Sequence, residues 1–558
     1  MPRLGHLVLA AILAAILAAT AAATAHAGAD LEAVRERLRH RLEANAGQQA
    51  VEVAGQFVQC ETALRRFYTN RDFAPAWTAD EGMSAHADTL VALILAAGAE
   101  GLTPDDYHLG PLLRINDHVA TGEVDPPHVV DCELLLTDAW LLLATHFLAG
   151  KLDPATLDPE WMASRRQADL ALALEGAIQD RDVGEALRAL LPRQRGYADL
   201  RAAYARYRAL VAAGGWRLVP PGPLLKPGAR DERMPILAAR LAVEDTALAS
   251  AAADADDAYS PGLEAAVRAF QRRHGLVADG IVGPTTLAAL NEDAATRADQ
   301  VRVNLERWRW MPQDLGRRHI VVNIADFHLD VIENDTIALT LPVIVGRPYR
   351  RTPVFSATMT YLVLSPAWEV PPRLAVQDML PRIRKDSGYL AEYGFTVLRG
   401  WGADERVVEP DTVRWDRLGP RSFPYRLRQA PGPMNALGDV KFMFPNRFAV
   451  YLHDTSDRAL FNQTRRTFSS GCIRVKDAEK LAYLLLADDP AWPPSKVDSA
   501  MADGVERTVR LPRPLLVHLQ YWTAWTDADG AVQFREDIYD RDGRVATALV
   551  APPPAAGL

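Results

Sequence analysis

The sequence predicts an α+β multidomain protein: an all-helical N-terminal part, a small three-helix module, and a mainly-β C-terminal domain that carries an insertion. Apolar residues recur at helical spacing from about residue 30 to 215. A proline-rich stretch, VPPGPLLKP at 219–227, separates that region from a compact helical unit ending near Asn291. From His319 the apolar period switches to two, the spacing of half-buried strands. The 558 residues suit about three domains of ordinary size. A content of 49% hydrophobic and 24% charged residues supplies a core for each and excludes wholesale disorder and fibrous classes.

Residues 1–27 read as a secretory leader. Arg3 and the amino terminus are positive, 7–23 is apolar and uncharged, and Ala25-His26-Ala27 is a small-x-small cleavage site before Gly28. The alternative is a retained membrane anchor, because the run approaches spanning length. Cleavage is favoured because the apolar run leads straight into the cleavage signal. Removal takes away Arg3 and moves the net charge from −9 to −10. No later uncharged stretch reaches spanning length, so no integral membrane span is expected after cleavage. With 62 basic against 71 acidic side chains, the net acidic chain is a poor candidate for a dedicated nucleic-acid binder, which needs a dense basic face.

The helical part is placed at 28–217. Residues 31–46 are charged and amphipathic, and 180–191 and 200–213 repeat that pattern. Residues 132–148, CELLLTDAWLLLATHFL, are apolar almost all round and predict a buried central helix. No catalytic cluster is evident here, so the region reads as a scaffold. It holds two of the three cysteines, Cys60 and Cys132. In an oxidising compartment they could form one bridge, or they could be two buried, inert thiols. Cys472 is left over, and three cysteines cannot build a four-cysteine zinc site.

The helical module is placed at 218–295. Residues 234–243 form one helix. In 260–274, SPGLEAAVRAFQRRH, Ser260 can cap, Pro261 suits the first turn, and Val267, Phe270 and Gln271 share a face. Gly275 ends that helix. Asp279-Gly280 is a turn, and Pro284 opens a third, short helix.

The β domain is placed at 300–540, with a C-terminal tail at 541–558. Residues 319–324 and 328–333 alternate like a hairpin, and 336–345, 357–364 and 447–452 add strands. Residues 478–486 form an amphipathic helix. Near the end, 518–525 and 531–535 flank Asp529-Gly530, a strong hairpin signal. Between Trp368 and Pro431 the text lacks regular alternation and is rich in Pro, Gly and Arg, which marks a functional lid or subdomain, with the insertion placed at 371–429.

The densest chemical text is YLHDTSDRALFNQTRRTFSSGCIRV at 451–475. A thiol needs a base or a positive field to become a nucleophile, and His453 at a strand end could serve Cys472. Gly471 permits a sharp turn, and the Gly471 and Cys472 amides could face a developing oxyanion. Arg474 adds positive potential and can clamp a carboxylate. The adjacent Ser469 and Ser470 sit in no Gly-x-Ser-x-Gly elbow. His108, His274, His319, His328 and His518 form no metal spacing, so neither a metal nor an organic cofactor is expected. Trp308 and Trp310 could form a sugar platform, but paired aromatics at a domain junction usually pack.

With His453 nineteen positions before Cys472, the HDT and SSGCIRV text resembles the active-site signature of L,D-transpeptidases of the YkuD type. VIVGRPYRRTPVF (343–355) resembles that family's glycine-then-Thr-Pro strand. AWEVPP (367–372), PGPMNALGDVKFMF (431–444) and 521–529 resemble its large, lidded periplasmic branch. AFQ, HGL and DGIVGPTTL within 260–290 resemble the peptidoglycan-binding module. RRFYTNRDFAPAW (65–77) and GLTPDDYH (101–108) resemble the branch's N-terminal scaffold. Ser470 stands where many smaller members have histidine.

The resemblance implies Cys472 as the acylated nucleophile, His453 as its base, and Gly471, Cys472 and Tyr451 at the oxyanion hole. Ser470 and Arg474 would line the substrate site. No acidic orienter for His453 is evident, so a backbone carbonyl is expected in that role. The implied reaction joins tetrapeptide stems in 3→3 peptidoglycan crosslinks through a thioester, with acylation by carbapenems. The implied partners are stem peptides, glycan and other wall-synthesis enzymes. The alternatives are an L,D-carboxypeptidase or hydrolase of the same wall, and a non-catalytic wall-binding scaffold. Residues 371–429 would be the lid, and Arg421, Arg426 and Arg428 could meet anionic stems or simply be solvated.

Overall fold

The computed structural model describes residues 30–44, 51–79, 82–120, 126–162, 165–245 and 256–553; the expected leader at 1–27 lies outside them. The helical part is organised around Pro126–Ala149, longer at its N-terminal end than the apolar text indicates because Pro126 and Pro127 occupy its first turn. The helix is buried along most of its length. Two carboxylates lie inside it. Glu133 accepts from the Tyr68 hydroxyl, the Ala76 and Trp77 amides and the Thr78 hydroxyl at 2.7–2.8 Å. Asp138 accepts from the Gln59 and Cys60 amides and pairs with His108 at 2.7 Å. A buried carboxylate is costly unless its oxygens are occupied. Here that requirement pins the 59–60 and 76–78 segments to the helix. Around it lie Leu31–Ala44, Glu61–Asn70, Leu170–Gln179 and Val183–Arg188, while Arg195–Ala212 packs on Ala294–Arg309. The helix expected at 180–191 is shorter because Asp182 caps it, accepting from the Glu185 amide. The helix expected to begin at 200 begins at Arg195. Cys60 and Cys132 are both free and buried, so no bridge joins them. Burial pushes Cys132 up to about 12.

In the module, Met234–Glu244, Pro261–Arg273 and Pro284–Asn291 enclose Leu237, Leu241, Val267, Phe270 and Leu290. Ser260 caps the second helix by accepting from the Leu263 amide. The Gln271 amide donates to Asp279 Oδ1 and the Ile281 carbonyl and accepts from Gly280 N–H, fixing the Asp279-Gly280 turn. The proline-rich stretch is part of this unit rather than a free linker: Val219 and Leu225 are core residues, and Leu225 bridges Val282.

The C-terminal sheet closes on itself. Its order runs Val440–Met443, Leu452–His453, Ile473–Val475, Thr336–Gly346, His328–Glu333, Arg318–Asn323, Arg507–Gln520, Val354–Leu364, and Val440–Met443 also pairs with Val354–Leu364. The helical part contributes Trp161–Met162, parallel to Val354–Phe355. The strand expected at 447–452 shrinks to Leu452–His453. Asn446 accepts from the Phe448 and Val450 amides and holds 446–450 as a loop. The late hairpin is Ala524–Thr526 with Val532–Phe534, while 518–520 ends the long Arg507–Gln520 strand. The expected tail contains a helix, Asp542–Val550, with Val545 and Leu549 in the core. The insertion is a small antiparallel sheet in the order Trp368–Glu369, Arg426–Gln429, Phe395–Arg399, Arg406–Val408. It has its own core of Val370, Ile383, Leu390, Val397 and Leu427.

Helix Ala294–Arg309 runs across the expected 295/300 boundary and joins the two large parts. Arg309 pairs with Glu306 at 2.7 Å and reaches the Glu100 carbonyl and the Tyr197 hydroxyl. Glu306 accepts from the Leu152 amide at 2.8 Å. On the other side, Arg307 pairs with Asp542 at 2.6 Å, and Asn304 bonds Thr523 at 2.8 Å. Trp308 and Trp310 are buried; Trp308 stacks on Trp522 and Trp310 packs edge-on to Trp161, so they form no exposed platform.

This junction makes Gly150 sensitive. Its φ is +84°, and a Cβ there would lie 2.5 Å from Glu306 Oε1 and 2.6 Å from Trp310 Nε1. Gly150→Ala should cost roughly 2–4 kcal/mol, read by urea unfolding, because it adds backbone strain and disturbs a buried ion pair. Gly530→Ala, at φ +78° with nothing within 4 Å, should cost only about 1 kcal/mol.

Candidate active site

Leu452–His453 and Ile473–Val475 pair in parallel, with Leu452 opposite Ile473 and His453 opposite Arg474. Leu452 and Ile473 point into the barrel core. Side chains alternate along strands, so Tyr451, His453, Cys472 and Arg474 share the opposite face. The Ile473 amide donates to the Tyr451 carbonyl at 3.1 Å and keeps the segments in register just before Cys472.

His453 is buried, and its Nδ1 lies 2.5 Å from the Asp454 carbonyl. A carbonyl can only accept, so the proton sits on Nδ1 and Nε2 keeps its lone pair. The expected backbone orienter is thus the Asp454 carbonyl. Asp454 is itself held by the Asp439 amide and Arg458, both at 3.1 Å. Gly438, at φ +61°, leaves room for that carboxylate: a Cβ would come within 2.3 Å of it. Burial first, then the Arg474 charge, lowers His453 to about 3, against the pull of the Asp454 carbonyl.

Cys472 is half-buried, with Sγ 3.9 Å from the Ala449 carbonyl. Burial raises its thiol to about 11, while the Tyr451 amide and hydroxyl and Arg474 pull the other way. Burial thus favours the uncharged form of both groups at neutral pH. Burial holds the Tyr451 phenol far above its usual range, so it remains an O–H donor.

The turn before Cys472 is built from inside. Gly471 has φ +118°, a conformation that favours glycine. Its amide donates to Ser469 Oγ at 3.1 Å, and Ser469 Oγ donates to the Cys472 carbonyl. The Gly471 N–H is thereby engaged by Ser469, while the Tyr451 amide and hydroxyl are the donors facing the thiol. The Gly471 carbonyl accepts from Thr352 Oγ at 2.9 Å, and Thr352 Oγ accepts from the Gly346 amide at 2.9 Å. A Cβ on Gly346 would meet the Arg350 carbonyl at 2.1 Å. The glycine and Thr-Pro of VIVGRPYRRTPVF thus brace the cysteine turn.

Ser470 and Arg474 are engaged rather than free. Ser470 Oγ accepts from Arg350 at 2.9 Å, and Arg474 pairs with Asp457 at 3.1 Å. Arg426 and Arg428 pair with Glu369 and Glu405 inside the insertion, while Arg421 is exposed. Sequence reasoning missed Arg350 and Asp378, an ion pair at 2.5 Å between the 346–353 loop and the insertion. No local periodicity marks two residues that meet only in the folded chain.

Comparison with known proteins matches residues 62–203 to a scaffold domain, 246–290 to a peptidoglycan binding domain and 317–494 to the YkuD L,D-transpeptidase catalytic domain. A Haemophilus influenzae protein named "Putative L,D-transpeptidase" is 34% identical over 251 residues, covering 45% of this chain and 50% of that protein. The match thus spans half the length of that relative. Among solved structures, an L,D-transpeptidase from Mycobacterium smegmatis is 13% identical, with TM-score 0.18, covering 37% of this chain and 58% of its own. One from Stackebrandtia nassauensis is 14% identical, with TM-score 0.20, covering 53% and 94%.

A neutral thiol has a distinct reactivity profile. Iodoacetamide modification of Cys472 in the native protein should accelerate about tenfold per pH unit between pH 7 and 10, because only the thiolate reacts. The rate should keep climbing toward the raised pKa, without the plateau near neutrality that a preformed thiolate–imidazolium pair would give. Tryptic mass spectrometry should find Cys60 and Cys132 unmodified.

Proposed function

We propose that this chain, whose residues 317–494 are a YkuD L,D-transpeptidase catalytic domain, forms 3→3 peptidoglycan crosslinks through a thioester on Cys472. The observation that carries the reading is the shared face of Cys472 and an Nδ1-protonated His453, next to a Tyr451 that packs on the insertion. His453 Nε2 takes the thiol proton as Sγ attacks the carbonyl of the third stem residue. The Cys472 N–H and the Tyr451 hydroxyl donate to the oxygen that gains charge. The proton passes from His453 to the departing D-Ala amine, and a thioester remains. A side-chain amine of a second stem's diaminopimelate then attacks the thioester, the C–S bond breaks, and the thiol is restored.

The peptidoglycan-binding domain at 246–290 supports peptidoglycan as the substrate. A cell-wall enzyme works outside the cytoplasm, and the leader expected at 1–27 would deliver it to the periplasm. β-Lactams of the carbapenem class should acylate the same thiol. Hydrolysis of the acyl-enzyme by water is the competing outcome, and the insertion that packs on Tyr451 favours transfer.

Purified protein incubated with disaccharide-tetrapeptides should yield a dimer one D-Ala lighter than two monomers, read by mass spectrometry. Cys472→Ala should yield none. His453→Gln should slow acylation about 10²–10⁴-fold, the usual worth of a positioned general base. Tripeptide without dimer would make the protein a carboxypeptidase. No acylation by any stem or carbapenem would leave a wall-binding scaffold.

A further inference from the structure

The insertion meets the cysteine turn at two places. On one side Tyr451, whose amide and hydroxyl face the thiol, packs against the insertion's core. On the other side stands Arg350. Its guanidinium forks onto Asp378 of the insertion at 2.5 and 2.8 Å and onto Gln377 at 2.9 Å, and it also donates to Ser470 Oγ at 2.9 Å. The Arg350 side chain is only 8% exposed. Asp378 lies in Ala375–Met379, a turn of π-helix between two α-helical stretches. Such a turn inserts an extra residue and re-aims its neighbours, and it recurs at functional sites. Two residues beyond Arg350, Thr352 holds the Gly471 carbonyl. One short loop therefore grips the nucleophile's turn at Ser470 and at Gly471 while it grips the insertion at Asp378.

We infer that Arg350 and Asp378 form a strut that holds the insertion over the Cys472 turn and so sets how the acyl-enzyme divides between amine and water. The inference rests on the function proposed above. Both fates break the same C–S bond and restore the same thiol. An amine adds to the carbonyl to give the crosslink amide, whereas water adds to give a tripeptide carboxylate. Water needs no recognition, only access, so a cover seated by a bidentate ion pair discriminates between the two without touching the reacting atoms. Arg350 and Asp378 are positioning residues in this role.

The test compares wild type, Asp378→Asn, Asp378→Glu and Arg350→Gln with disaccharide-tetrapeptide, and reads tripeptide against dimer by mass spectrometry. Amide exchange at 470–472 is read alongside. Asp378→Asn and Arg350→Gln should raise the tripeptide-to-dimer ratio about tenfold and speed exchange at 470–472, with the melting temperature kept. Asp378→Glu, which keeps the carboxylate, should stay within about twofold of wild type. A proportional loss of both products with the ratio unchanged overturns the strut, as does unchanged exchange. Should Asp378→Asn fail to fold, Arg350→Gln carries the same comparison. Wild type giving neither product refutes the proposed function. Wild-type turnover with unaltered ratios in the variants refutes the strut alone.

Discussion

The buried pair of Glu306 and Arg309 on helix Ala294–Arg309 is the interaction on which the relation between scaffold and barrel depends. Desolvating two charges costs several kcal/mol, which the pair's own attraction only partly offsets, so such a pair is poor evidence of stabilisation. Its effect is geometric. Neither charge can lose its partners without leaving an uncompensated ion inside, and those partners come from three separate segments: Leu152, Glu100 and Tyr197. The next residues on the same helix, Arg307 and Asn304, are committed to Asp542 and Thr523 of the C-terminal part. Trp161–Met162 on the barrel edge and Lys151, which donates to the Leu549 and Ala551 carbonyls, tie the two parts again. The scaffold is therefore joined to the catalytic domain through its interior rather than through a linker.

The same satisfaction of buried groups explains which elements the sequence disclosed. Apolar periodicity in 260–274 and alternation in 319–333 reported real helices and strands because their buried faces are apolar. Helix Ala294–Arg309 was not legible. Arg297, Asn304, Glu306, Arg307 and Arg309 are all buried, so its charged text reads as a solvated surface. The strand Trp161–Met162 is too short to show any period. Alternation at 447–452 misled because Asn446 satisfies the backbone amides there in a loop. In the site, Cys472 and His453 were singled out from motif text, and strand register puts them on one face. The commitment of the Gly471 amide to Ser469 and of Ser470 to Arg350 follows only from three-dimensional contact.

The module shows how docking is written in glycine. Gly275 ends Pro261–Arg273 at φ +66°, and a Cβ there would meet Arg535 at 2.5 Å. Arg535 donates to the Arg273 carbonyl at 2.8 Å and pairs with Asp326 of the barrel. His274 stacks between Phe270 of the module and Phe534 of the late hairpin, at 3.9 and 5.3 Å between ring centres. A glycine that looks like a helix stop in sequence is also the clearance that lets an arginine cross the seam.

The electrostatics of the cysteine site run against the usual picture of an activated thiol. Burial acts oppositely on the two groups, raising the thiol and lowering the imidazole, and so favours the uncharged pair. Arg474 stabilises a thiolate but disfavours an imidazolium, so it cannot bias the proton transfer as a whole without also opposing it. The asymmetry comes from backbone: the Asp454 carbonyl supports a cationic His453, and the Tyr451 amide supports an anionic sulfur. Both are fixed by the parallel pairing of Leu452–His453 with Ile473–Val475. In this arrangement burial keeps both groups uncharged, and the backbone supplies the groups that would support a separated thiolate and imidazolium.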